Sequence, residues 1–160
     1  MLTGCVPISK AYQGISWTSV VMIAAMIPMG LALQKTGVAQ LAAESLVSSL
    51  GSIHPVALLA GIFLLTAAFS QTINNSATAV LMAPIAIIAS TTLGVSPKPF
   101  MIAVAVSAST AFLTPVGTTT NAMVMVAGGY KFMDYVKVGG PLLLLFFIAT
   151  LVLVPWIWSF

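Results

Sequence analysis

The stretch from Pro55 to Leu93 decides the fold: PVALLAGIFLLTAAF, then SQTINNSAT, then AVLMAPIAIIASTTL. Two apolar arms of about 15 residues flank a polar centre, residues 70–78, and each arm falls short of the ~20 residues that a transmembrane helix needs. This pattern is typical of a re-entrant hairpin whose polar tip lies near mid-membrane, buried in protein or lining a wet cavity. Hydropathy alone leaves a second interpretation open, in which two ordinary short spans are joined by a polar surface turn.

Composition requires a membrane around this hairpin. Of the 160 residues, 60% are hydrophobic and only 4% are charged, whereas a soluble domain carries about 25% charged residues. We therefore expect an all-helical integral membrane protein surrounded by lipid. The net charge of +3 comes from scattered residues that form no patch, so nucleic acid is not an expected partner.

A second interruption, TPVGTTTN at 114–121, divides the apolar run that begins at Phe100. Pro115 and Gly117 both disfavour a continuous helix. The interruption begins ~21 Å along the helix from Phe100, which is still inside a bilayer. The sequence therefore predicts a discontinuous transmembrane helix.

These patterns together predict one transmembrane module over residues 1–160. Its predicted elements are a transmembrane helix over 17–34, an amphipathic interfacial helix over 38–50, the re-entrant hairpin over 55–92, the discontinuous transmembrane helix over 100–127 and a transmembrane helix over 138–158. Residues 94–99 are expected to form a turn. For 38–50, a connecting helix packed on protein is an equally good interpretation of the amphipathic pattern.

The chemistry that this sequence can perform is limited by what the apolar runs lack. They contain no Asp, Glu, Lys, Arg or His, which excludes a proton relay of buried carboxylates, an embedded metal site and a Ser-His-Asp triad. An enzyme is therefore not expected, and neither is a cofactor.

Two clusters of uncharged polar residues remain, Asn74–Thr78 and Thr114–Asn121. A helix that begins after a break presents backbone N–H groups and a positive dipole end, which can hold an anion. A helix that ends before a break presents carbonyl oxygens, which can hold a cation such as sodium. The alternative is that these residues only hold helices together.

At these two clusters the chain resembles the divalent-anion/sodium symporters of the citrate transporter-like ion-transporter superfamily. Asn74-Asn75-Ser76 corresponds to the family's Ser-Asn-Thr hairpin-tip motif. Thr118-Thr119-Thr120-Asn121, which follows Pro115 and Gly117, corresponds to a second signature that ends in Thr-Pro-Pro-Asn. The resemblance covers nearly the whole chain, but only the second of the family's two repeats. The differences from both motifs leave the identity of the anion open.

The resemblance implies a function and a set of partners. It implies secondary active transport of a small anion, a di- or tricarboxylate or sulfate, coupled to Na⁺. The chain would be the second inverted repeat of a multi-pass protein in the inner (plasma) membrane. The missing amino-terminal repeat, in a longer chain or a separate subunit, would complete it, and a homodimer would support an elevator-like movement.

The resemblance also implies which residues bind each ion. The substrate is expected near Asn75, Ser76, Thr78, Thr118 and Thr119, and sodium near Asn74, Asn75, Thr114, Gly117 and Asn121. Two rival functions stay open. One is a structural or partner membrane subunit, and the other is an anion channel or a proton- or arsenite-linked exporter on a related fold.

Overall fold

The structure, a computed structural model, describes most of the chain. The described residues are Val20, Val21, Ala24, Ala25, Pro28, Leu31, Ala32, 34–51 and 54–160. The predicted transmembrane helix over 17–34 falls largely outside this set, although its described positions are helical.

The described residues form helices and connecting segments, with no strand among them. The helices are α1 Val38–Leu46, α2 Pro55–Ser70, α3 Asn75–Thr92, α4 Pro97–Ala108, α5 Thr119–Gly128 and α6 Phe132–Ile157, and a π-helical turn, Val47–Gly51, follows α1. The all-helical class predicted for the chain is confirmed for these residues. Two helices, α3 and α6, are long and apolar enough to cross a membrane, and α2 and α4 are shorter apolar helices.

Helix α4 begins earlier than the sequence predicts, so the turn expected over 94–99 is shorter. Pro97 occupies the first helical turn, and the Ser96 hydroxyl accepts the N–H of Lys98 at 3.4 Å. A proline suits this position because the first helical N–H has no intrahelical partner. Pro97 and Pro99 thus both lie in the first turn of α4, within the stretch that was expected to form a turn.

Helix α6 also begins earlier than predicted, at Phe132 instead of residue 138. The Asp134 carboxylate accepts the backbone N–H of Lys131 at 2.9 Å, which caps the new helix. Asp134 and Lys137 therefore lie in the first turns of α6 and not in a loop. Hydropathy misses this start because the capping residues are charged.

The core forms where α4 packs against both α2 and α3, which contact each other less than each contacts α4. Fully buried side chains from each helix meet there, including Leu58, Ile62, Ala86, Phe100 and Ala103. Helix α1 adds Ala39 and Ala43, which are both fully buried, and it packs on α3. One face of the 38–50 segment is thus packed on protein, while its position at a membrane surface stays a prediction.

Helix α6 packs on α2 and α4 with one face, as in the edge-to-face contact of Phe63 and Phe147 at 5.4 Å. Its other face exposes large apolar side chains, including Leu144, Leu145, Val152 and Trp156. Lipid is a suitable neighbour for such a face, because acyl chains are as apolar as leucine.

Gly139 lets α6 approach the segment that precedes α5. A Cβ atom at this position would clash with the Phe112 carbonyl oxygen and would lie 2.5 Å from its carbonyl carbon. Backbone atoms cannot move aside as a flexible side chain can. The neighbouring Gly140 has nothing within 4 Å of the same hypothetical atom.

We predict that Gly139→Ala lowers the thermal unfolding midpoint of the purified chain in detergent, through about 1–3 kcal/mol of overpacking. Gly140→Ala is the matched control. It should leave the midpoint unchanged or raise it, because alanine is the better helix former by about 0.5–1 kcal/mol. Tryptophan fluorescence would follow the unfolding, and equal shifts for the two variants would contradict the close contact.

Candidate functional site

The structure joins the segment that precedes the first polar cluster, at Ser70 and Gln71, to the segment that leads into the second. We call residues 71–74, between α2 and α3, the tip, and residues 109–118, between α4 and α5, the break. The Gln71 side chain links them, since its Nε2 donates to Ala67 O at 2.8 Å and to Thr110 O at 3.1 Å. Its Oε1 accepts the Leu113 N–H at 3.0 Å. Both amide protons and the amide oxygen of a side chain only 9% exposed are therefore used.

Backbone contacts add to this link. The carbonyl of Gln71 accepts the Thr114 hydroxyl at 2.6 Å, and that hydroxyl also accepts the Gly117 N–H at 3.3 Å. A Cβ on Gly117 would lie 2.6 Å from the Ser70 carbonyl oxygen. Gly117 therefore permits the close approach of the break to the end of α2.

Ser70 connects three helix ends. Its Oγ lies 2.6 Å from Ala108 O, at the end of α4, and 3.2 Å from Asn75 Oδ1, at the start of α3. The Ser70 hydroxyl is the donor in both contacts, so its single proton is shared between the Ala108 carbonyl and the Asn75 amide oxygen.

Asn74 caps α3. Its Oδ1 accepts the N–H groups of Ser76 at 2.8 Å and Ala77 at 3.4 Å, which satisfies two of the donors that a helix start leaves over. The Thr78 hydroxyl donates to Asn74 O at 3.1 Å, and Thr78 is fully buried. Thr78 thus supports the cap, and its expected contact with substrate stays a prediction. Ser76 is exposed and Asn75 half-buried.

Thr118 caps α5, and its Oγ1 accepts the Asn121 N–H at 3.3 Å. The Asn121 side chain in turn spans the break, because its Nδ2 donates to Ala111 O at 2.7 Å and to Thr114 O at 3.1 Å. The Oδ1 of Asn121 has no hydrogen bond among the described residues. Thr119 and Thr120 are exposed, and the Thr119 N–H likewise has no partner there.

The break occupies a different stretch from the predicted one. It covers 109–118, whereas the sequence places it at 114–121. It starts early because the carbonyls of Ala108 and Thr110 are bonded by the Ser70 and Gln71 side chains instead of by helical N–H groups. It ends early because Thr118, a good N-cap residue, starts α5.

The predicted site residues therefore divide into two sets. The side chains of Asn74, Thr78 and Thr114 are used in bonds that hold the backbone. Of the others, Ser76 and Thr119 are exposed, whereas Asn75, Thr118 and Asn121 are half-buried. The side chains of Thr118 and Asn121 also bond to backbone, but each keeps a polar group that is not used in these bonds. Gly117 contributes backbone only. Residues 70–78 and 109–121 contain no charged side chain, so the local field comes from peptide dipoles and amide groups.

The structure adds three residues that the sequence analysis did not assign to the site: Ser70, Gln71 and Tyr135. The Tyr135 hydroxyl donates to Asn121 O at 2.8 Å. Ser70 and Gln71 lie in the polar centre quoted above, so their composition was a signal, but their partners in 108–114 are distant in sequence. Among the described residues, no group of three or more His, Cys, Asp or Glu could hold a metal ion.

Comparison with known proteins gives a consistent set of relatives. The model of the citrate transporter family matches residues 1–93. An uncharacterized transporter of Escherichia coli K12, YfbS, is 42% identical over 98% of this chain and 26% of its own length. The uncharacterized transporter sll0640 of Synechocystis is 36% identical over 99% of this chain and 26% of its own length. Sodium/sulfate cotransporter 2 of Chlamydomonas reinhardtii is 35% identical over 88% of this chain and 16% of its own length.

These matches confirm the family that the two polar clusters indicate. This chain spans about a quarter of the length of the first two relatives, at 26% of each. The match to the first relative runs through 98% of this chain, so it extends well beyond the end of the family-model match at residue 93.

We predict that Gln71→Leu destabilises the purified chain in detergent by about 2 kcal/mol, at ~0.6 kcal/mol for each of its hydrogen bonds. The change keeps the side chain's approximate size but leaves the Ala67 and Thr110 carbonyls and the Leu113 N–H without this partner. Gln40→Leu is the control, because Gln40 is exposed and donates to Glu44 at 2.7 Å. It should change stability by less than ~0.5 kcal/mol. Similar losses in both variants would show that Gln71 does not hold the two clusters together.

Proposed function

This chain belongs to the citrate transporter family, and from that premise we propose that it is the second inverted repeat of a secondary transporter for small anions. Its cargo is a di- or tricarboxylate or sulfate, and its coupling ion is Na⁺. The proposal is carried by one observation: the Gln71 amide joins the tip to the break, so that two helix starts and two helix ends converge in a neutral, polar cluster.

The lengths of α2 and α4 support a tip inside the membrane, although α3, at 18 residues, is long enough to cross one. Helix α4 has 12 residues and therefore extends ~18 Å, well short of the ~30 Å hydrocarbon core. Helix α2 has 16 residues and extends ~24 Å. Because the tip is bonded to the end of α4, it shares the depth at which α4 stops. On this basis α2 and α3 form a re-entrant hairpin, and α4 and α5 form one discontinuous transmembrane helix.

The anion is bound at the starts of α3 and α5. The side chains of Asn74 and Thr118 accept backbone N–H groups up to the third residue of their helices. The N–H groups of the first helical residues, Asn75 and Thr119, are not capped in this way and point beyond the helix ends. The hydroxyls of Ser76, Thr118 and Thr119 add donors. Two positive dipole ends can therefore hold a divalent anion without a buried arginine.

Sodium is bound by oxygen atoms of the same cluster. Asn121 Oδ1 and Asn75 Oδ1 are side-chain ligands, and backbone carbonyls at the end of α2 and around Gly117 complete the set. Carbonyl and amide oxygens suit a hard cation. The Chlamydomonas relatives named as sodium/sulfate cotransporters support both the cation and the class of anion.

Coupling follows from the shared frame. Ser70 contacts Asn75 and approaches Gly117, so sodium bound beside either residue fixes the helix starts that the anion needs. If bound sodium raises the affinity for the anion by some factor, bound anion must raise the affinity for sodium by the same factor. The remaining part of the transporter, an amino-terminal repeat, supplies the other half of the site. The assembled protein is a homodimer in the inner (plasma) membrane that works by an elevator-like movement.

We predict that Thr119→Pro reduces anion uptake by the assembled transporter by about 10- to 100-fold, the loss of one hydrogen bond to a charged ligand at ~1.5–3 kcal/mol. Proline is tolerated at the first helical position, and it removes the N–H that we assign to the anion. Thr118 before it is extended, at φ −138° and ψ 144°, as a residue before proline prefers. Thr119→Ala removes only the hydroxyl and should have the smaller effect.

Phe132→Pro is the matched control, since Phe132 is also a first helical residue, is exposed and lies outside the site. Uptake of radiolabelled sulfate and succinate would be measured with Na⁺ and with choline in its place. Uptake that survives Thr119→Pro at the level of Phe132→Pro would remove the anion site from α5. A structural membrane subunit would show no uptake that depends on this chain.

A further inference from the structure

One face of α6 lies against the break and the start of α5 over three helical turns. Tyr135, Gly139 and Phe146 recur near helical spacing, which puts them on the same side of α6. Tyr135 donates to Asn121 O at 2.8 Å, Gly139 lies against the Phe112 carbonyl, and Phe146 packs on the Phe112 ring at 5.4 Å. Only the first of these three contacts is a hydrogen bond, and only the first reaches α5.

The Tyr135 bond is placed to fix the first turn of α5. Helix α5 has no buried residue, so packing does little to hold it. A cleft of about 330 Å³ lies between Val124 of α5 and the side chains of Val138 and Leu142 on α6. The start of α5 is therefore held by hydrogen bonds through Asn121, two from its side chain to the break and one from Tyr135 to its carbonyl.

We propose that Tyr135 is a positioning residue for the cation site, because its hydroxyl fixes the backbone of Asn121 and so aims the Asn121 Oδ1 at the bound ion. This inference rests on the proposed function, since it takes Asn121 Oδ1 as a sodium ligand. Tyr135 does not touch either ion. It sets the orientation of Asn121, whose side-chain amide donates its two protons to Ala111 O and Thr114 O.

Tyr135→Phe removes only the hydroxyl and keeps the ring, which contacts the Tyr130 ring edge-on at 6.5 Å. Tyr130→Phe is the matched control. Tyr130 is the other ring of that contact, is 53% exposed, and its hydroxyl has no hydrogen bond among the described residues. Each variant thus loses one tyrosine hydroxyl at the same pair of rings.

In the assembled transporter, Tyr135→Phe should raise the Na⁺ concentration for half-maximal uptake by about 3- to 10-fold, the equivalent of one hydrogen bond. At saturating Na⁺ the KM for the anion and the maximal rate should stay near wild type. Tyr130→Phe should match wild type in all three quantities. A residue that only stabilises the fold would lower the amount of active protein and hence the maximal rate, and would leave the Na⁺ dependence unchanged.

Hydrogen–deuterium exchange supplies a readout that does not depend on transport. The amides of residues 119–125 should exchange faster in Tyr135→Phe than in wild type or Tyr130→Phe. Unchanged exchange overturns the proposal, as does faster exchange with an unaltered Na⁺ dependence, which would make the role purely structural. If wild-type uptake did not depend on Na⁺, sodium coupling and the role of Tyr135 at a cation site would both be overturned. Faster amide exchange in Tyr135→Phe would in that case still show that Tyr135 holds α5.

Discussion

The Gln71 side-chain amide is the interaction on which the rest of the site depends. Its three hydrogen bonds join a carbonyl of α2, a carbonyl of the break and an N–H of the break. A buried peptide group without a partner costs several times what a hydrogen bond contributes net. Two interrupted helices can therefore end inside an apolar protein only if they satisfy each other, and Gln71 is the residue that lets them do so.

That requirement explains the distribution of small residues around the site. Gly117 and Gly139 bring backbone to within contact of backbone on opposite sides of the break, at Ser70 and at Phe112. The break is thus held between the end of α2 and the face of α6. Hydrogen bonds set its conformation, and the absence of two Cβ atoms permits the close packing on both sides.

Sequence patterns identified the class of fold, the two polar clusters and the family, because each depends on local composition: apolar runs, Pro and Gly in the break, and Asn at the tip. They misplaced the starts of α4, α6 and the break. These boundaries depend on caps from Ser96, Asp134 and Thr118 and on bonds from Ser70 and Gln71 to the break. The last two span about 40 positions of sequence, at separations of 38 and 39, and no local pattern contains that information.

Thr78 and Tyr135 make contacts that the sequence analysis did not predict. Thr78 stands among polar residues at the tip, yet it follows Asn74 by one helical turn, so its hydroxyl returns to the Asn74 carbonyl and is buried. Tyr135 lies beside charged residues and before residue 138, where the sequence predicts that the last helix begins. It belongs to the site only because Asp134 starts α6 early enough to bring its ring alongside Asn121.

A site without formal charge has a consequence for transport on the function proposed above. An empty site built from helix dipoles and amides can change its exposure across the bilayer without carrying net charge through lipid, where an unpaired charge is costly. A site loaded with a divalent anion alone would carry two negative charges. Cations bound at the adjacent carbonyl oxygens offset that charge, so the loaded site also moves near neutrality. In the half of the site that this chain supplies, the compensating charge would therefore arrive and leave with the cargo, because residues 70–78 and 109–121 contain no charged side chain.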